Sequence, residues 1–428
     1  MIPLAARLDG WLIAVCLGRI FVHANFLVYA ACMPILAQTW SMSATQAGTV
    51  ASGFTIGYAL SLVASAWLAE RLGARRVFLG SAAASAVAAI GFAAFATDYA
   101  SAVVLYTLAA LPQGGIYTPG IMLMAEHYPA ERRGYAVGWL LASTSLGLAF
   151  SLVVSGWLVG LGGPRVAFLG TGLLPAAGAA ILWWAMRDTP NVIHAHGGRA
   201  SVLSLLRARP NARRLVAGYA WHSWEVLGMW VWMPAFLAAS IALNGADRQH
   251  AAEIAAYLAG GMHVVGAFAS SSMGRMSDRI GRRRVMIVLA VTGALCSSGI
   301  GFLVAAPLAL LVVLVFVYGF VAIGDSPVLS AAITEEVAPA QLGSVLAIRA
   351  LLGFGAGAVS PILFGGVLDF ARSAQAPAAA WGLAFAVFGV GGWVAAWCAL
   401  RLEAAHAYTR DRPISPGRNG KNGAPGET

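Results

Sequence analysis

The chain has 428 residues, of which 59% are hydrophobic and only 10% are charged, and its formal net charge is +10. A soluble globular domain is about 45–50% apolar and about 25% charged, so these proportions exclude a disordered chain and make lipid the expected solvent. Lys421 is the only lysine, which excludes nucleotide hydrolysis at a phosphate-binding loop, because that loop requires a lysine. The arginines are scattered between apolar segments, so we expect no nucleic-acid partner.

Twelve apolar segments follow one another along the chain, each long enough to cross about 30 Å of hydrocarbon as a helix of about 20 residues. We therefore predict an all-α membrane protein with twelve transmembrane helices. The first six segments cover residues 11–36, 46–69, 76–96, 99–125, 134–160 and 165–186. The last six cover residues 214–241, 251–275, 284–305, 307–333, 343–370 and 379–402.

The distribution of basic residues predicts which helix ends face the cytoplasm. If the N-terminus is inside, 22 of the 27 basic residues lie on the inner side, and only Arg165, Arg248 and Arg372 lie on the outer side. Cytoplasmic loops of membrane proteins carry such an excess. We therefore expect both termini in the cytoplasm and the chain in a plasma membrane, the inner membrane of a bacterium.

A polar and basic segment, residues 187–213, separates the first six predicted helices from the last six. We predict an N-terminal six-helix bundle over residues 1–186, a cytoplasmic linker over 187–213 and a C-terminal six-helix bundle over 214–402. The tail over residues 403–428 is rich in proline, glycine, asparagine and arginine, and we expect it to be disordered.

The two halves carry related sequences about 208 residues apart. Residues 68–77, Leu-Ala-Glu-Arg-Leu-Gly-Ala-Arg-Arg-Val, align with residues 276–285, Met-Ser-Asp-Arg-Ile-Gly-Arg-Arg-Arg-Val. Residues 129–134 align, with one residue deleted, with residues 339–343. The matched pairs follow the second and the fourth helix of each half. Two halves in the same orientation form a parallel repeat, which is typical of secondary transporters.

Residues 274–284, Gly-Arg-Met-Ser-Asp-Arg-Ile-Gly-Arg-Arg-Arg, resemble the loop motif Gly-x-Leu-x-Asp-Arg-x-Gly-Arg-Arg of the major facilitator superfamily. A degenerate copy at residues 66–76 has Ala66, Glu70 and Ala74 in place of motif residues. The resemblance covers about residues 8–402 and implies solute transport by alternating access. It implies that transport is gated by Glu70, Arg71, Gly73, Arg75, Gly274, Asp278, Arg279, Gly281 and Arg283.

The two acids of the motif also have a physical interpretation. Glu70 and Asp278 end the second and eighth helices, where a carboxylate can meet the positive N-terminal end of a neighbouring helix. In the family's arrangement Glu70 faces the start of the eleventh helix near Gly343, and Asp278 faces the start of the fifth near Gly134. The arginines can pair with these acids and with membrane lipid phosphates. Alternatively, they only determine membrane topology.

Several polar side chains lie deep in the predicted helices, where ionisable groups are costly and usually face a cavity. Arg19 is the hardest to explain otherwise, because a guanidinium keeps its proton and needs a carboxylate, water or an anionic ligand. We predict a substrate site that contains Arg19, His23, Asn25, Tyr29, Trp221, Trp224 and Arg349. Alternatively, Arg349 could reach the membrane interface, and the tryptophans could face lipid.

Glu225 and Asp325 are the deepest acids, and we predict that they carry the coupling proton. A buried carboxyl that is neutral in one conformation and charged in another is the simplest coupling device. Glu225 is the favoured candidate, because the repeat places it in the middle of a helix that lines the cavity in the family. Its aromatic neighbours would keep water away from it.

These features predict a secondary transporter for a small organic anion such as a carboxylate, working by proton symport. The alternative within transporters is a proton-coupled exporter of hydrophobic or cationic compounds, in which Glu225 and the tryptophans bind the cation. Ala110 and Leu148 weigh against it, since such exporters tend to carry an arginine and a proline near these places. A membrane solute sensor is the alternative from another class. We expect no enzymatic activity, no cofactor, no metal and a monomeric chain.

Overall fold

A computed structural model describes residues 9–193, 202–337, 339–373 and 376–403. About 89% of this part of the chain is helical, and no strand occurs in it. The all-α prediction is thereby confirmed. In chain order the helices are α1 (Gly10–Val22), α2 (Val28–Thr39), α3 (Ala44–Leu72), α4 (Ala74–Phe95), α5 (Tyr99–Ala110), α6 (Thr118–His127), α7 (Ala130–Ala185), α8 (Val202–Ala208), α9 (Pro210–Leu243), α10 (Arg248–Ile280), α11 (Arg282–Gly299), α12 (Leu308–Glu336), α13 (Pro339–Arg372) and α14 (Pro377–Leu400).

Polar side chains fix where several helices begin. Ser43 begins α3 with a capping box, because its hydroxyl accepts from the Gln46 amide at 3.1 Å and the Gln46 side chain accepts from the Ser43 amide at 2.9 Å. Asp98 begins α5 with a capping box as well, and the Asp247 side chain caps α10 by accepting from the amides of Gln249 and His250. These caps satisfy backbone N–H groups that have no partner inside the helix.

Two glycines end corresponding helices of the two halves. Gly73 has a φ of +90° after α3, and Gly281 has a φ of +97° after α10. Their N–H groups donate to the carbonyls of Ala69 and Ser277 at 3.0 and 3.1 Å. Glycine tolerates this backbone conformation, whereas a side chain would strain it. The two copies of the sequence repeat therefore adopt the same turn.

Two predicted helices are interrupted, and two others are joined into one. A 3₁₀ turn at His23–Asn25 separates α1 from α2, and a 3₁₀ helix at Gln113–Ile116 separates α5 from α6. Helix α7 runs through two predicted segments, but Gly162 and Gly163 inside it are not helical. Ten helical segments of the described chain are long and apolar enough to cross a membrane. Counting α7 twice and adding the interrupted α5–α6 segment gives the predicted twelve, a number that stays a prediction.

Most predicted boundaries differ by a few residues from the observed ones. Helix α9 begins at Pro210, four residues before the predicted start at residue 214, because proline is well suited to the first position of a helix. The short helix α8 lies within the predicted linker. Residues 194–201 of the linker and residues 404–428 of the tail lie outside the described residues.

The helices form two halves, α1–α7 and α9–α14, that pack side by side. Within the first half α7 packs against α1 and α4, and within the second half α13 packs against α9 and α11 against α14. Across the seam between the halves, α3 packs against α13 and α7 against α10. We call the end of the bundle where α1 begins and α14 ends the terminal end, and the opposite end the far end.

Hydrogen bonds join the two halves at the far end. The carboxylate of Asp369 in α13 accepts from the backbone amides of Ala44 and Thr45 at 2.7 and 2.8 Å, and from the Thr45 hydroxyl at 2.7 Å. We call this contact between residues 369 and 44–45 the far-end latch. The Gln249 side chain donates to the Gly160 carbonyl at 3.0 Å. The far end is therefore held closed by both helix pairs of the seam.

Candidate functional site

Arg19 is wholly buried in the first half. One terminal nitrogen, Nη1, donates to the Leu140 carbonyl and to the Ser143 hydroxyl, the latter at 3.0 Å. The other, Nη2, donates to the Thr144 hydroxyl at 3.0 Å. All three acceptors lie on α7, so this helix fixes the direction of the guanidinium. The predicted deep position of Arg19 is what the structure shows.

Arg349 lies on α13 of the second half, and its guanidinium is held by neutral groups. Nη1 donates to the Ser330 hydroxyl at 3.1 Å, and the guanidinium carbon lies 3.9 Å from the centre of the Tyr219 ring. A cation over an aromatic face is stabilised by the quadrupole of the ring. Arg349 therefore faces Tyr219 in the bundle rather than the membrane interface.

Three tyrosines connect the two arginines across the seam. Tyr117 interacts electrostatically with Arg19, Arg349 and Tyr219. Tyr58 interacts with Arg19 and Tyr117, and its ring lies 4.9 Å from that of Phe354 in α13. We call Arg19, Tyr58, Tyr117, Tyr219 and Arg349 the central site. Both halves contribute to it, as a site for alternating access requires.

The central site has positive charge without a compensating acid. Among the described residues neither Arg19 nor Arg349 forms an ion pair with a carboxylate. The Nε–H groups of Arg19 and Arg349 are both buried and have no hydrogen-bond acceptor. A guanidinium offers five N–H donors, and burying unused ones is costly. An anion placed between the two arginines would supply the missing acceptors.

Three other predicted site residues in the first half mainly support the local structure. His23 is buried, and its Nδ1 lies 2.7 Å from the Arg19 carbonyl. Tyr29 donates to the Ala47 carbonyl at 3.0 Å, and its ring packs 5.4 Å from Tyr106, towards the far end. Asn25 lies in the 3₁₀ turn, with a buried side-chain oxygen that has no partner. His23 and Asn25 are therefore close to Arg19 along the chain, whereas Tyr29 lies further towards the far end.

The predicted tryptophans contact the last helix of their own half. Trp224 donates to the Val387 carbonyl of α14 at 2.8 Å, and its ring lies 5.7 Å from that of Trp221. A β-carbon added at Gly391 of α14 would lie 2.6 Å from the Trp224 ring. Trp221 and Trp224 are therefore not brought together with the central site.

Glu225 also faces the inside of the second half. A β-carbon added at Gly293 of α11 would lie 3.5 Å from one of its carboxylate oxygens, and one added at Gly392 of α14 would lie 2.7 Å from the other. The hydroxyls of Ser297 and Tyr318 are its polar neighbours. Glu225 of α9 is thus buried against α11 and α14.

Asp325 lies closer to the central site, through a histidine that the sequence analysis did not assign to it. His222 Nδ1 is 3.5 Å from the Asp325 carboxylate, and His222 Nε2 is 2.7 Å from the Ser326 hydroxyl. His222 interacts electrostatically with Arg349, and Asp325 with Glu225. Buried ionisable groups therefore extend from the central site into the second half in the order Arg349, His222, Asp325 and Glu225.

The tyrosines of the central site were missed by the sequence analysis. Tyr58 and Tyr219 lie in apolar helices and Tyr117 lies just before α6, and in these apolar stretches they resemble ordinary core aromatics. Their hydroxyl groups were a usable signal, because a buried tyrosine hydroxyl usually requires a polar partner. Within the described residues no group of three histidine, cysteine, aspartate or glutamate side chains is arranged to hold a metal ion.

Comparison with known proteins identifies the family. The model of the Major Facilitator Superfamily matches residues 15–270 of this chain. The chain belongs to this superfamily. It is therefore a multi-pass membrane transporter and not an enzyme.

Several known transporters resemble the chain along most of its length. The gallate transporter of Pseudomonas putida is 25% identical over 365 residues, which cover 77% of this chain and 78% of that protein. A probable 4-methylmuconolactone transporter of Cupriavidus pinatubonensis is 29% identical over 319 residues, 68% of each chain. A solved bacterial homologue of the human lysosomal transporter Spinster has the same fold, with a TM-score of 0.72 and 17% identity, and the match covers 91% of this chain and 95% of that one.

The motif arginines of this superfamily member bind within their own halves. Arg75 donates to the Met186 carbonyl at 2.8 Å at the end of α7, and Arg283 donates to the Leu400 carbonyl at 2.8 Å at the end of α14. These arginines are 208 residues apart, so both copies of the motif bind the last helix of their half. Arg71 lies over the Trp67 ring at 3.9 Å.

Asp278 is paired within the second half as well. Arg282 contacts the Asp278 carboxylate at 2.5 Å and the Glu335 carboxylate at 3.0 Å. Gly134 and Gly343, near which Asp278 and Glu70 were predicted to lie, belong to the first turns of α7 and α13. The gating role of the motif stays a prediction.

Proposed function

We propose that the chain is a secondary transporter of small organic anions, in particular aromatic carboxylates, that works as a proton symporter. In this proposal it acts as a monomer in the inner membrane of a bacterium, with the terminal end in the cytoplasm. The excess of arginine at the terminal end supports this orientation. The names of the similar gallate and 4-methylmuconolactone transporters support an organic substrate with acidic chemistry.

The observation that carries this proposal is the pair of arginines without an acid. Arg19 and Arg349 come from opposite halves, and each has a buried Nε–H without an acceptor. A carboxylate would accept from both, and hydrogen bonds between charged groups are roughly twice as strong as neutral ones. The substrate would then be held at the seam, where it can be exposed to each side of the membrane in turn.

The tyrosines favour an aromatic substrate. Tyr219 packs against the Arg349 guanidinium, Tyr58 and Tyr117 interact electrostatically with Arg19, and Phe354 packs against Tyr58. Aromatic pairs contribute about 0.5–1.5 kcal/mol beyond the area that they bury. The phenol groups of the site can also exchange hydrogen bonds with ring hydroxyls of a substrate such as gallate.

For proton coupling we favour Asp325 together with His222. The Asp325 carboxylate contacts His222, and His222 in turn interacts electrostatically with Arg349 of the central site. A proton on this pair would alter the field at Arg349 and so the affinity for the anion. Glu225, the residue favoured by its place in the repeat and its aromatic neighbours, would act behind Asp325 as a second acid. A cation-binding exporter site is less well supported, because Glu225 and Trp224 contact α14 and not the seam.

The closed far end indicates which state of the transport cycle is described. The far-end latch and the Gln249–Gly160 contact hold the halves together at that end. With the terminal end in the cytoplasm, this corresponds to a state closed to the outside. The motif residues Asp278 and Arg282 pair within one half in this state, and we propose that Asp278 changes partner when the terminal end closes.

The test is uptake of radiolabelled gallate by proteoliposomes that contain the purified protein, with and without an inwardly directed proton gradient. Wild-type protein is expected to concentrate gallate only with the gradient. Arg19→Lys and Arg349→Lys are each expected to weaken gallate binding roughly tenfold or more, because an ammonium cannot reproduce the planar contacts of a guanidinium.

Arg165→Lys is the matched control. Arg165 donates to the Ala93 and Ala94 carbonyls at the far end of the first half, so its replacement alters a helix end and not the central site. Full gallate uptake by the Arg19 and Arg349 variants, or preferential uptake of a lipophilic cation such as tetraphenylphosphonium, would refute the proposal.

A further inference from the structure

A cavity of about 250 Å³ opens at the far end, along the seam between the halves. Its walls come from α2 and the start of α3 in the first half, and from α9, α10, α13 and α14 in the second half. Met33, the lining residue nearest to Arg19 in sequence, is 14 positions away on α2, beyond the turn at His23–Asn25. The far-end cavity is therefore distinct from the central site.

The far-end cavity has the size and lining of a site for an aromatic ring. Eight of its sixteen lining residues are alanines, whose small side chains leave the space open. Trp232 and Trp381 form an aromatic wall, with ring centres 6.4 Å apart at an angle of 73°. Met33 and Met42 add adaptable apolar surface. A cavity of about 150 Å³ already accommodates benzene, so a ring with one carboxylate fits into this volume.

Two arginines lie at the rim of the far-end cavity. Arg248 begins α10, and Arg372 ends α13 with its guanidinium 5.6 Å from the Trp381 ring. Only three of the 27 basic residues are predicted on the far side, and two of them line this one cavity. This concentration is not explained by membrane topology, which disfavours arginine at that end.

The acids near the rim already have partners. Asp369 accepts three hydrogen bonds from Ala44 and Thr45 and also interacts electrostatically with Arg372, and Asp247 accepts from the amides that begin α10. No acid lines the far-end cavity among the described residues. Arg248 is exposed and forms no ion pair in the described part of the chain. The rim therefore presents positive charge beside an apolar and aromatic interior.

We propose that the far-end cavity is a second binding site for a small aromatic carboxylate. The ring would lie against Trp232 and Trp381, and the carboxylate would bind Arg248 and Arg372 by charge-assisted hydrogen bonds. This inference rests on the proposed function in so far as the ligand belongs to the class of the transported solute. The cavity is open while the far end is latched, so it would collect substrate on the outer side before the central site opens there.

The test is equilibrium dialysis of the purified full-length protein in detergent against radiolabelled 4-hydroxybenzoate. Wild-type protein is expected to bind two equivalents. The double variant Arg248→Ala/Arg372→Ala is expected to weaken one equivalent roughly tenfold or more and to keep the other. Arg19→Ala is expected to have the complementary effect. Arg165→Ala removes the third far-end arginine, which lies away from the cavity, and is expected to keep both equivalents.

A second variant tests the cavity without a change in charge. Ala242 lines the cavity and is exposed, so Ala242→Trp fills the space without disturbing the buried core. This variant is expected to lose the same equivalent as the double arginine variant. Binding of a single equivalent that Arg19→Ala abolishes would overturn the proposal. Displacement of 4-hydroxybenzoate from this site by decanoate but not by benzoate would also overturn it, since the cavity would then accept a lipid chain.

The two proposals fail in different ways. If gallate uptake is absent but the far-end variants remove one equivalent of 4-hydroxybenzoate, the transport proposal fails and the far-end site stands. If gallate uptake is proton-driven and the far-end variants bind as the wild type does, only the far-end site fails. Absence of all 4-hydroxybenzoate binding overturns the far-end site, whatever the uptake of other solutes.

Discussion

Replacement of Asp369 by asparagine is expected to loosen the far-end latch. The Asp369 carboxylate accepts three hydrogen bonds of 2.7–2.8 Å from Ala44 and Thr45, where α3 of the opposite half begins. The side chain is therefore a helix cap supplied across the seam. An asparagine retains one carbonyl oxygen as an acceptor but turns an amide NH2 group, a donor, towards a backbone N–H, and it carries no charge for the helix dipole.

The magnitude follows from these contacts. Loss of a helix cap costs about 0.5–2 kcal/mol, and loss of a negative charge at a partly buried helix start costs up to about 2 kcal/mol. The two effects overlap in one side chain, so we expect the closed far end to lose about 1–2 kcal/mol. That change alters a population ratio by roughly 5–30-fold in favour of molecules open at the far end.

The measurement is the distance between spin labels on the far-end turns of the two halves, at Leu161 and Ala305. Both positions are exposed. Asp98→Asn is the matched control, because Asp98 also caps a helix at the far end but accepts only from Ser101 of its own half. The reasoning is refuted if Asp369→Asn leaves the distance distribution of the wild type, or if Asp98→Asn broadens it equally.

Asp278→Asn is expected to slow gallate transport while equilibrium binding changes little, because the state closed at the terminal end loses about 0.3–1 kcal/mol of stability. If transport is unchanged, the motif acid has no gating role and the arginines only determine topology. Asp325→Asn is expected to abolish proton-driven accumulation but to permit exchange, and Glu225→Gln to have a milder effect; the opposite order would return the coupling role to Glu225. Gly281→Ala is expected to destabilise the protein by about 1–3 kcal/mol in thermal unfolding, because its φ is +97°, whereas Gly274→Ala, which meets no neighbour, is expected not to.

The positions of the helices could be predicted from hydropathy, because lipid requires long apolar segments whatever their neighbours are. The interruptions could not be predicted so well. The turn at His23–Asn25 consists of residues that also occur inside helices, and only tertiary contacts fix it. One such contact is the Ser151 hydroxyl, which donates to the Ala24 carbonyl at 2.7 Å and accepts from the Leu27 amide at 3.0 Å. The break at Gly162–Gly163, by contrast, lies in the gap between two predicted segments.

The central site was predictable only in its charged members. Arg19 and Arg349 can be detected in the sequence because burying a guanidinium in an apolar helix is costly and therefore indicates a functional site. The direction of a side chain around its helix depends on which helices lie beside it, and one sequence does not contain that information. Trp224 was predicted to bind the substrate and Glu225 to carry the coupling proton, and both side chains face α14.

The two arginines would also give the substrate a part in the conformational change itself. Arg19 is fixed to α7 of the first half, and Arg349 is fixed to Ser330 of the second half, so each guanidinium moves with its own half. Like charges that approach as the halves close around the site repel each other, and this repulsion opposes closure of the empty carrier. An anion between them removes the repulsion and stabilises the closed arrangement selectively. A ligand shifts such an equilibrium only through its difference in affinity for the two states. Under this proposal the carboxylate, and not the ring, is therefore the part of the substrate that drives closure.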